Sequence, residues 1–535
     1  MKKFISHFYN FSCNFIHTLA LFFMGLLLVS GFLFTCYADD MTSQQVLTRV
    51  DNPLFNLFGT CVMIALLLLC AHFACKNPSK GKKLLFVMVF GWILALGGLL
   101  ILFGKTVPAA DAWSVYEAAQ NLSMGNTSVI HPTDSYLSYY PQQVGLMAFF
   151  ELLIRLWKLF PVDLHAYHFI KCLYVILTCV IVYFQYRAVH LLWEEDRVDC
   201  IYLILAGCNL PFIMYSSFVY GETPSFAAMS VGIYYLLKLI KASPESKKLP
   251  YILCSLITLT LAVMLRKNTL IIIIAVVLVT LLEALKRKSR ILLLFAALCL
   301  ICSLSILPII QKTYELRSGS TLRSGVPAMS YFAMGMQEAS RGNGWYNGYN
   351  FDTYQESGMD SAAASETSRQ FMKERMEYFR SHPGDAIDFY WNKYLSQWAD
   401  GTYASRQATL ATFGGRNAFV ESFYTGKNSL IYIEYCNIYQ NVLYLGCFAE
   451  FMAALLKRRK SPLYLWLGMI GAFGGFLFHM SWEANSRYIF LYGLLLLPYA
   501  AGGIAELSNT SVLGRFRKNN TDHKSDAKET QAIAG

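Results

Sequence analysis

Charge is scarce in this chain. Asp, Glu, Lys and Arg make up 15% of its 535 residues, hydrophobic residues make up 55%, and mean hydropathy is +0.39. So little charge excludes a soluble protein of this length, which could not hide that much apolar surface. Cysteine is not rare, but it is missing where a framework would need it. The 14 cysteines lie almost all within or beside apolar segments, and none lies between Lys312 and Lys427, the longest polar stretch. No disulfide framework and no metal-ligand spacing follows, and we expect neither a metal nor a cofactor. The formal charge of +11 does not mark a nucleic-acid partner. In a membrane chain, clustered Lys and Arg first report topology.

What the chain does have is long apolar runs. They are continuous rather than alternating, which predicts an all-α polytopic membrane protein. Twelve spans are expected, at 14–36, 55–75, 84–104, 167–191, 199–217, 224–240, 250–265, 268–285, 290–311, 429–456, 462–480 and 486–505. The first apolar run is long for a signal peptide and reads as a retained span. Basic clusters orient the set. "KNPSKGKK", "KASPESKK", "KRKSR", "KRRK" and "GRFRK" all fall on one side if both termini are cytoplasmic. The run "PQQVGLMAFFELLIRLWKLF" from Pro141 would upset that parity if it crossed, and it carries Glu151, Arg155 and Lys158. It is read as a juxtamembrane helix on the outer surface, apolar face into lipid.

This threading divides the chain into five parts. Residues 1–83 hold two extra N-terminal spans, and 84–311 hold a core with an outer loop at 105–166. Residues 312–428 form a mainly helical extracytoplasmic segment, 429–505 hold the last spans, and 506–535 are a polar tail expected to be disordered. In the outer segment, "ETSRQFMKERMEYFRSHP" reads as an amphipathic helix stopped before Pro383, and "GDAIDFYWNKYLSQW" as a second.

Several charged groups then face outward at span ends. Asp111 and Glu117 follow the third span in "ADAWSVYEAAQ", and Glu222 lies in "VYGETPS". Arg266 and Lys267 lie in "LRKN", and Glu483 and Arg487 in "HMSWEANSRY". Outward arginines break the positive-inside pattern, and charge at a membrane boundary is costly unless paired or functional. Snorkelling to headgroups is the plain alternative for each cation. Glu222 suits a helix cap equally, and Glu483 with Arg487 suits an i,i+4 ion pair. "GNGWYNGYNFD" offers Trp345 and Tyr346 either to a stacked sugar or to an aromatic cluster packed on the membrane domain.

Carboxylates and cations gathered on one face suit an anionic substrate and a proton to be removed. A sugar joined through phosphate to a polyprenol is such a substrate. Its phosphodiester carries one charge, and the lipid phosphate gains a second when the sugar leaves. Arg266, Lys267 or Arg487 would stabilise that developing charge. Asp111 would take the proton of the incoming hydroxyl.

The ordered set "ADAWSVYEAAQ", "SYYPQQVGLMAFFELLIRLW", "FVYGETPS", "LRKNTLI", "GWYNG" and "WEANSRYIFLYGLLLLP" resembles the GT-C superfamily of membrane glycosyltransferases. It is most similar to bacterial relatives of the protein O-mannosyltransferase and aminoarabinose transferase branch (glycosyltransferase family 39-like). The resemblance covers roughly 84–505. It implies a GT-C-like helix bundle in a bacterial plasma membrane and inverting transfer on the outer face. The donor would be a polyprenyl-phosphate sugar, and the acceptor a cell-envelope glycan, lipid or protein. Asp111 is implied as the catalytic carboxylate, and Tyr140, Gln142, Gln143, Glu222, Trp345, Tyr346 and Glu483 as substrate-binding residues. The chain departs from the eukaryotic branch in having Asp111-Ala-Trp where a paired Asp-Glu stands, and in lacking a His-Pro-Pro element. Two other readings remain: an O-antigen ligase or polymerase using diphosphate-linked glycans, and a lipid-linked-glycan transporter. Transporters place functional charge near the bilayer midplane, not at span ends.

Overall fold

The structure is a computed structural model that describes residues 2–38, 44–133, 135–243, 247–459 and 461–508, with side chains from residue 7. The "GRFRK" cluster and the polar tail from residue 509 lie outside the described residues. The protein is an all-α membrane protein. Among the described residues, ten helices are long and apolar enough to cross a bilayer. They are His7–Leu33, Pro53–Cys75, Pro78–Gly104, Ala166–Trp193 and Glu222–Lys241, then Lys267–Arg287, Arg290–Ser318, Ser429–Leu456, Leu463–Ser481 and Ser486–Ser508. An eleventh apolar unit is the pair Asp196–Cys208 and Leu210–Ser217, bent by 59°. A shorter apolar helix, Leu249–Leu265, completes the twelve expected segments.

Local chemistry explains the bend. Asn209 ends the first half, and its side-chain oxygen then accepts from the Phe212 N–H at 3.1 Å, starting the second half. Pro211 supplies no N–H to continue the helix ladder. The last helix, Ser486–Ser508, is almost wholly buried and packs on Ser429–Leu456 and Leu467–Ser481. Glu222–Lys241 packs on Ala166–Trp193 and Leu249–Leu265.

Two features differ from expectation. The first span was expected to run to residue 36, but the helix stops at Leu33 and strand Phe34–Ala38 begins. That strand pairs antiparallel with Val46–Val50 in a hairpin. The Cys36 N–H donates to the Ala399 carbonyl at 2.8 Å, and Val46 N–H to the Arg341 carbonyl at 2.9 Å. These bonds satisfy backbone groups that a lipid setting would leave unpaired. Second, the helix from Val144 to Trp157 turns its apolar face onto protein, not lipid. Val144, Leu146, Met147, Phe150, Leu153 and Ile154 are buried against neighbours that include Asp111–Ser123 and Arg290–Ser318. The reason is Glu151, a buried carboxylate that collects Arg155 at 2.8 Å, Arg317 at 2.7 Å and the Tyr314 hydroxyl at 2.6 Å. At 14 residues, the helix is about 21 Å long, too short to cross.

The expected outer-segment helices are present as Ser361–Ser381, ending before Pro383, and Pro383–Trp398. This segment sits on the bundle end formed by the loops that follow Gly104, Ser217, Leu265 and Ser481. Phe413 N–H donates to Lys105 O at 3.2 Å, and Ala484 N–H to Gly344 O at 2.7 Å. The described residues of the basic clusters lie at the opposite end, where Lys241 pairs with Glu194 at 2.7 Å and Arg459 with Glu506 at 2.9 Å.

Candidate functional site

The site is built by loop ends that the packing forces together. Two glycines position Arg266. A Cβ on Gly145 would lie 2.1 Å from the Met264 carbonyl oxygen, and one on Gly221 would lie 2.6 Å from that of Leu265. Only glycine lets these two chains touch the end of the Leu249–Leu265 helix. Arg266 then leaves that helix in an extended conformation, at φ −155°. Ser225 Oγ donates to Ala262 O at 2.9 Å, and Thr269 Oγ1 to Arg266 O at 2.7 Å, so the turn's carbonyls are occupied.

Glu222 follows Gly221 directly and opens the next helix. It does not cap it, because neither of its side-chain oxygens accepts a hydrogen bond among the described residues. Its Oε1 lies 2.6 Å from Arg266 Nη1 and 3.7 Å from Arg487 Nε. Two cations from loops more than 200 residues apart (266 and 487) therefore converge on one buried carboxylate. Their guanidinium faces lie against aromatic rings. Arg266 is 5.9 Å from the Tyr220 centroid and 5.8 Å from that of Tyr488; Arg487 is 5.8 Å and 5.5 Å from the same rings. Such stacking holds a guanidinium without using its N–H groups. Arg487 is further fixed by the Asn485 side chain, which accepts its backbone N–H at 2.9 Å.

Tyr220 is the hub. Its carbonyl accepts from the Tyr174 hydroxyl at 2.7 Å, and its hydroxyl accepts from Gln143 Nε2 at 2.5 Å. Burial, and then the negative charge of Asp111, push its hydroxyl pKa up against the pull of Arg487 and Arg266. Asp111 acts on Tyr136, Tyr140 and Tyr346 in the same direction, after burial. It also raises Glu483, whose carboxyl burial pushes up to about 7 against Arg487 and the Tyr488 hydroxyl, a donor at 3.1 Å. Asp111 thus shares one electrostatic neighbourhood with Tyr140, Gln143, Glu222, Arg266, Tyr346, Glu483 and Arg487. It is exposed, as the first residue of helix Asp111–Ser123, where a helix dipole favours a carboxylate. The preceding Ala110 sits at φ +48°, a left-handed value that a side chain tolerates poorly.

Other candidates fall differently. Lys267, one residue on, is exposed and forms no ion pair among the described residues. Gln142 is half-buried. Trp345 is 4% exposed, its indole N–H donates to Ser396 Oγ at 2.9 Å, and its backbone bridges to Ala484. It packs as a strut against Ser396 and the Ala484 backbone, not as an open stacking face. Its neighbour Tyr346 is 38% exposed and is the ring of the pair left open. The i,i+4 pair of Glu483 and Arg487 gives way to Glu483–Tyr488 and Arg487–Glu222 contacts.

Two residues were not anticipated. Lys393 is buried and donates to Gly335 O at 2.5 Å and Trp482 O at 2.7 Å, pinning the backbone beside Glu483. Burial pushes its ammonium down to about 7. Asp400 is buried and accepts from Ser486 Oγ at 2.6 Å and Thr402 N–H at 2.9 Å, which locks the start of the final helix. Among the described residues, no three His, Cys, Asp or Glu side chains gather as a metal-holding group.

No family model matches the chain, and no curated protein matches it. Among solved structures it is similar to the oligosaccharyltransferase AglB from Archaeoglobus fulgidus, solved with an inhibitory peptide and a dolichol-phosphate. Identity is 12% and the TM-score is 0.41, over 82% of this chain and 52% of that one. The chain thus spans about half the length of that protein. A likeness this slight bears on neither family nor function.

Proposed function

We propose that the chain is a membrane glycosyltransferase that moves a sugar from a polyprenyl-phosphate donor to an acceptor hydroxyl outside the cytoplasm. One observation carries this reading. An exposed carboxylate, Asp111, shares a tyrosine-lined neighbourhood with two arginines, Arg266 and Arg487, at one end of an apolar bundle. The arginines are the donor's phosphate grip. As the sugar leaves, the bridging oxygen becomes a phosphate oxygen and a second negative charge develops beside them. The lipid phosphate is a weak base, so its departure needs no strong acid. Asp111 accepts the proton of the acceptor hydroxyl as that oxygen attacks the anomeric carbon, and the configuration inverts. Tyr140, Gln142, Tyr346 and Glu483 are proposed to line the sugar and acceptor.

The basic clusters at the opposite end support an outward-facing site. Cysteine labelling from outside should reach substitutions in 330–350 and spare those in 241–248. The reaction is tested with purified chain and a polyprenyl-phosphate sugar, alongside mass spectrometry of envelope glycans with and without the chain. Release of polyprenyl monophosphate and loss of a single-sugar decoration are expected. Turnover only with a polyprenyl-diphosphate-linked glycan offered in its place, releasing polyprenyl diphosphate, would instead assign a ligase or polymerase, and lipid flipping without transfer would assign a transporter.

A further inference from the structure

Transfer as described leaves Glu222 without a task, although it is the charge nearest to both arginines. It is 4% exposed, and neither of its oxygens accepts a hydrogen bond among the described residues. A structural carboxylate at that depth collects donors, because desolvation is otherwise uncompensated. Glu151, in the same protein, collects three. Nor is Glu222 needed to aim the guanidiniums. The rings of Tyr220 and Tyr488 flank both, and Phe218 lies 5.7 Å from that of Arg487. What Glu222 adds is charge. Two guanidiniums and one carboxylate carry a net charge of +1.

The two lipid phosphates of the proposed reaction differ in charge. The donor is a phosphodiester with one negative charge at any pH near neutrality. The spent lipid is a monoester whose second ionisation falls near pH ~6, so at neutral pH it approaches two charges. We infer that Glu222 sets the net charge of the arginine pair to match the diester donor and not the monoester product, so that the spent lipid phosphate is expelled. This rests on reading Arg266 and Arg487 as the phosphate grip. Asp111 and Glu483, which act on the same tyrosines, disfavour a second ligand charge as well. Glu222 differs from them in touching the guanidiniums directly, at 2.6 and 3.7 Å.

The test uses the full chain in lipid nanodiscs with two probes, farnesyl phosphate as monoester and its methyl ester as diester. Wild type should favour the diester at pH 8, and the monoester-to-diester affinity ratio should fall between pH 5.5 and 8. Glu483 sits in the same pH window and repels the monoester's second charge as well, so the assignment to Glu222 rests on comparing Glu222→Gln with wild type at fixed pH 8, with Glu483→Gln run beside them. Glu222→Gln keeps the volume and should shift the ratio toward the monoester by about tenfold or more, as expected for one charge at this distance. In that variant single turnover should persist while multiple turnover stalls on product. An unchanged ratio in Glu222→Gln, with Arg266→Gln abolishing both probes, overturns the inference and leaves the phosphate grip standing. If wild type binds neither probe and Arg266→Gln changes nothing, the grip itself falls. Should Glu222→Gln not fold, the wild-type series decides: a ratio flat from pH 5.5 to 8 overturns the inference.

Discussion

Glu222 is treated differently from the buried carboxylates at the far end of the bundle. At the end that carries the basic clusters, each such group is served by several donors. Asp199 accepts from Lys82 at 3.1 Å and His190 at 2.8 Å; Glu283 accepts from the Tyr9 hydroxyl at 2.5 Å and Arg287 at 2.8 Å. Glu450 accepts from Trp193 at 3.3 Å and Arg459 at 3.2 Å. At the other end, Glu222 lies between two arginines with neither oxygen hydrogen-bonded. The first arrangement staples spans together, since removing one partner strands a buried charge. The second leaves its guanidinium N–H groups available to exchange one anion for another. Glu151 and Asp400, at the same end as Glu222, follow the first arrangement, which makes Glu222 the exception among them.

Four substitutions or titrations break or sharpen this contrast. The largest effect should come from Asp111→Asn, which keeps the shape but cannot take a proton. Turnover should drop by about 10²–10⁴-fold with donor binding retained. Glu117→Gln is the control. It lies six residues on, about 600° around a helix, and should be near normal in the same assay. An active Asp111→Asn beside an inactive Glu117→Gln would reassign the base.

Arg266→Ala should lower donor turnover by about 10²–10³-fold, measured per folded molecule. Full activity there would make Arg266 a snorkelling residue. Lys82→Met, at the opposite end, should do the reverse. It leaves Asp199 with His190 alone and should destabilise by about 1–3 kcal/mol in detergent melting, with turnover per folded molecule unchanged. A dead but stable Lys82→Met would erase the contrast with Glu222.

The smallest effect concerns pH. Burial raises the Glu483 carboxyl to about 7, above its unfolded value, so the folded chain holds that proton more tightly. Its contribution to stability is complete below the unfolded value, near pH ~4.3, and is lost as pH rises through 7. An inflection near pH 7 in the melting curve series should disappear in Glu483→Gln. Its persistence would move the titration to another group, with Lys393 the next to replace.

Much of this was legible in the sequence, for a physical reason. A bilayer forces each span to be a continuous apolar run, so the twelve segments could be marked before their packing was known. Arg266 and Arg487 stood out because outward cations at span ends violate an otherwise regular pattern, whereas Asp111 was singled out by the resemblance in its motif. Lys393 and Asp400 did not. Both sit among residues that read as a solvated amphipathic face, and only the fold buries them. The Val144–Trp157 helix was misjudged for a related reason, since an apolar face looks the same whether lipid or protein covers it. Trp345 and Tyr346 are adjacent aromatics, and composition does not say which one becomes the strut. The Phe34–Val50 hairpin was hidden by an apolar run that continues past the end of its helix.

The contacts at Gly145 and Gly221 have a consequence for how this protein tolerates change. A single methyl at either position would meet a carbonyl oxygen at 2.1 or 2.6 Å and must push the end of the Leu249–Leu265 helix away. Arg266 rides on that end. A displacement of about 1 Å at a reacting centre can cost about 10²-fold in rate. Two positions with no side chain at all therefore act as the spacers that gauge the cation's reach. In a mutational scan they should behave like active-site residues while contributing no functional group, so that even the smallest substitution available, glycine to alanine, is not tolerated.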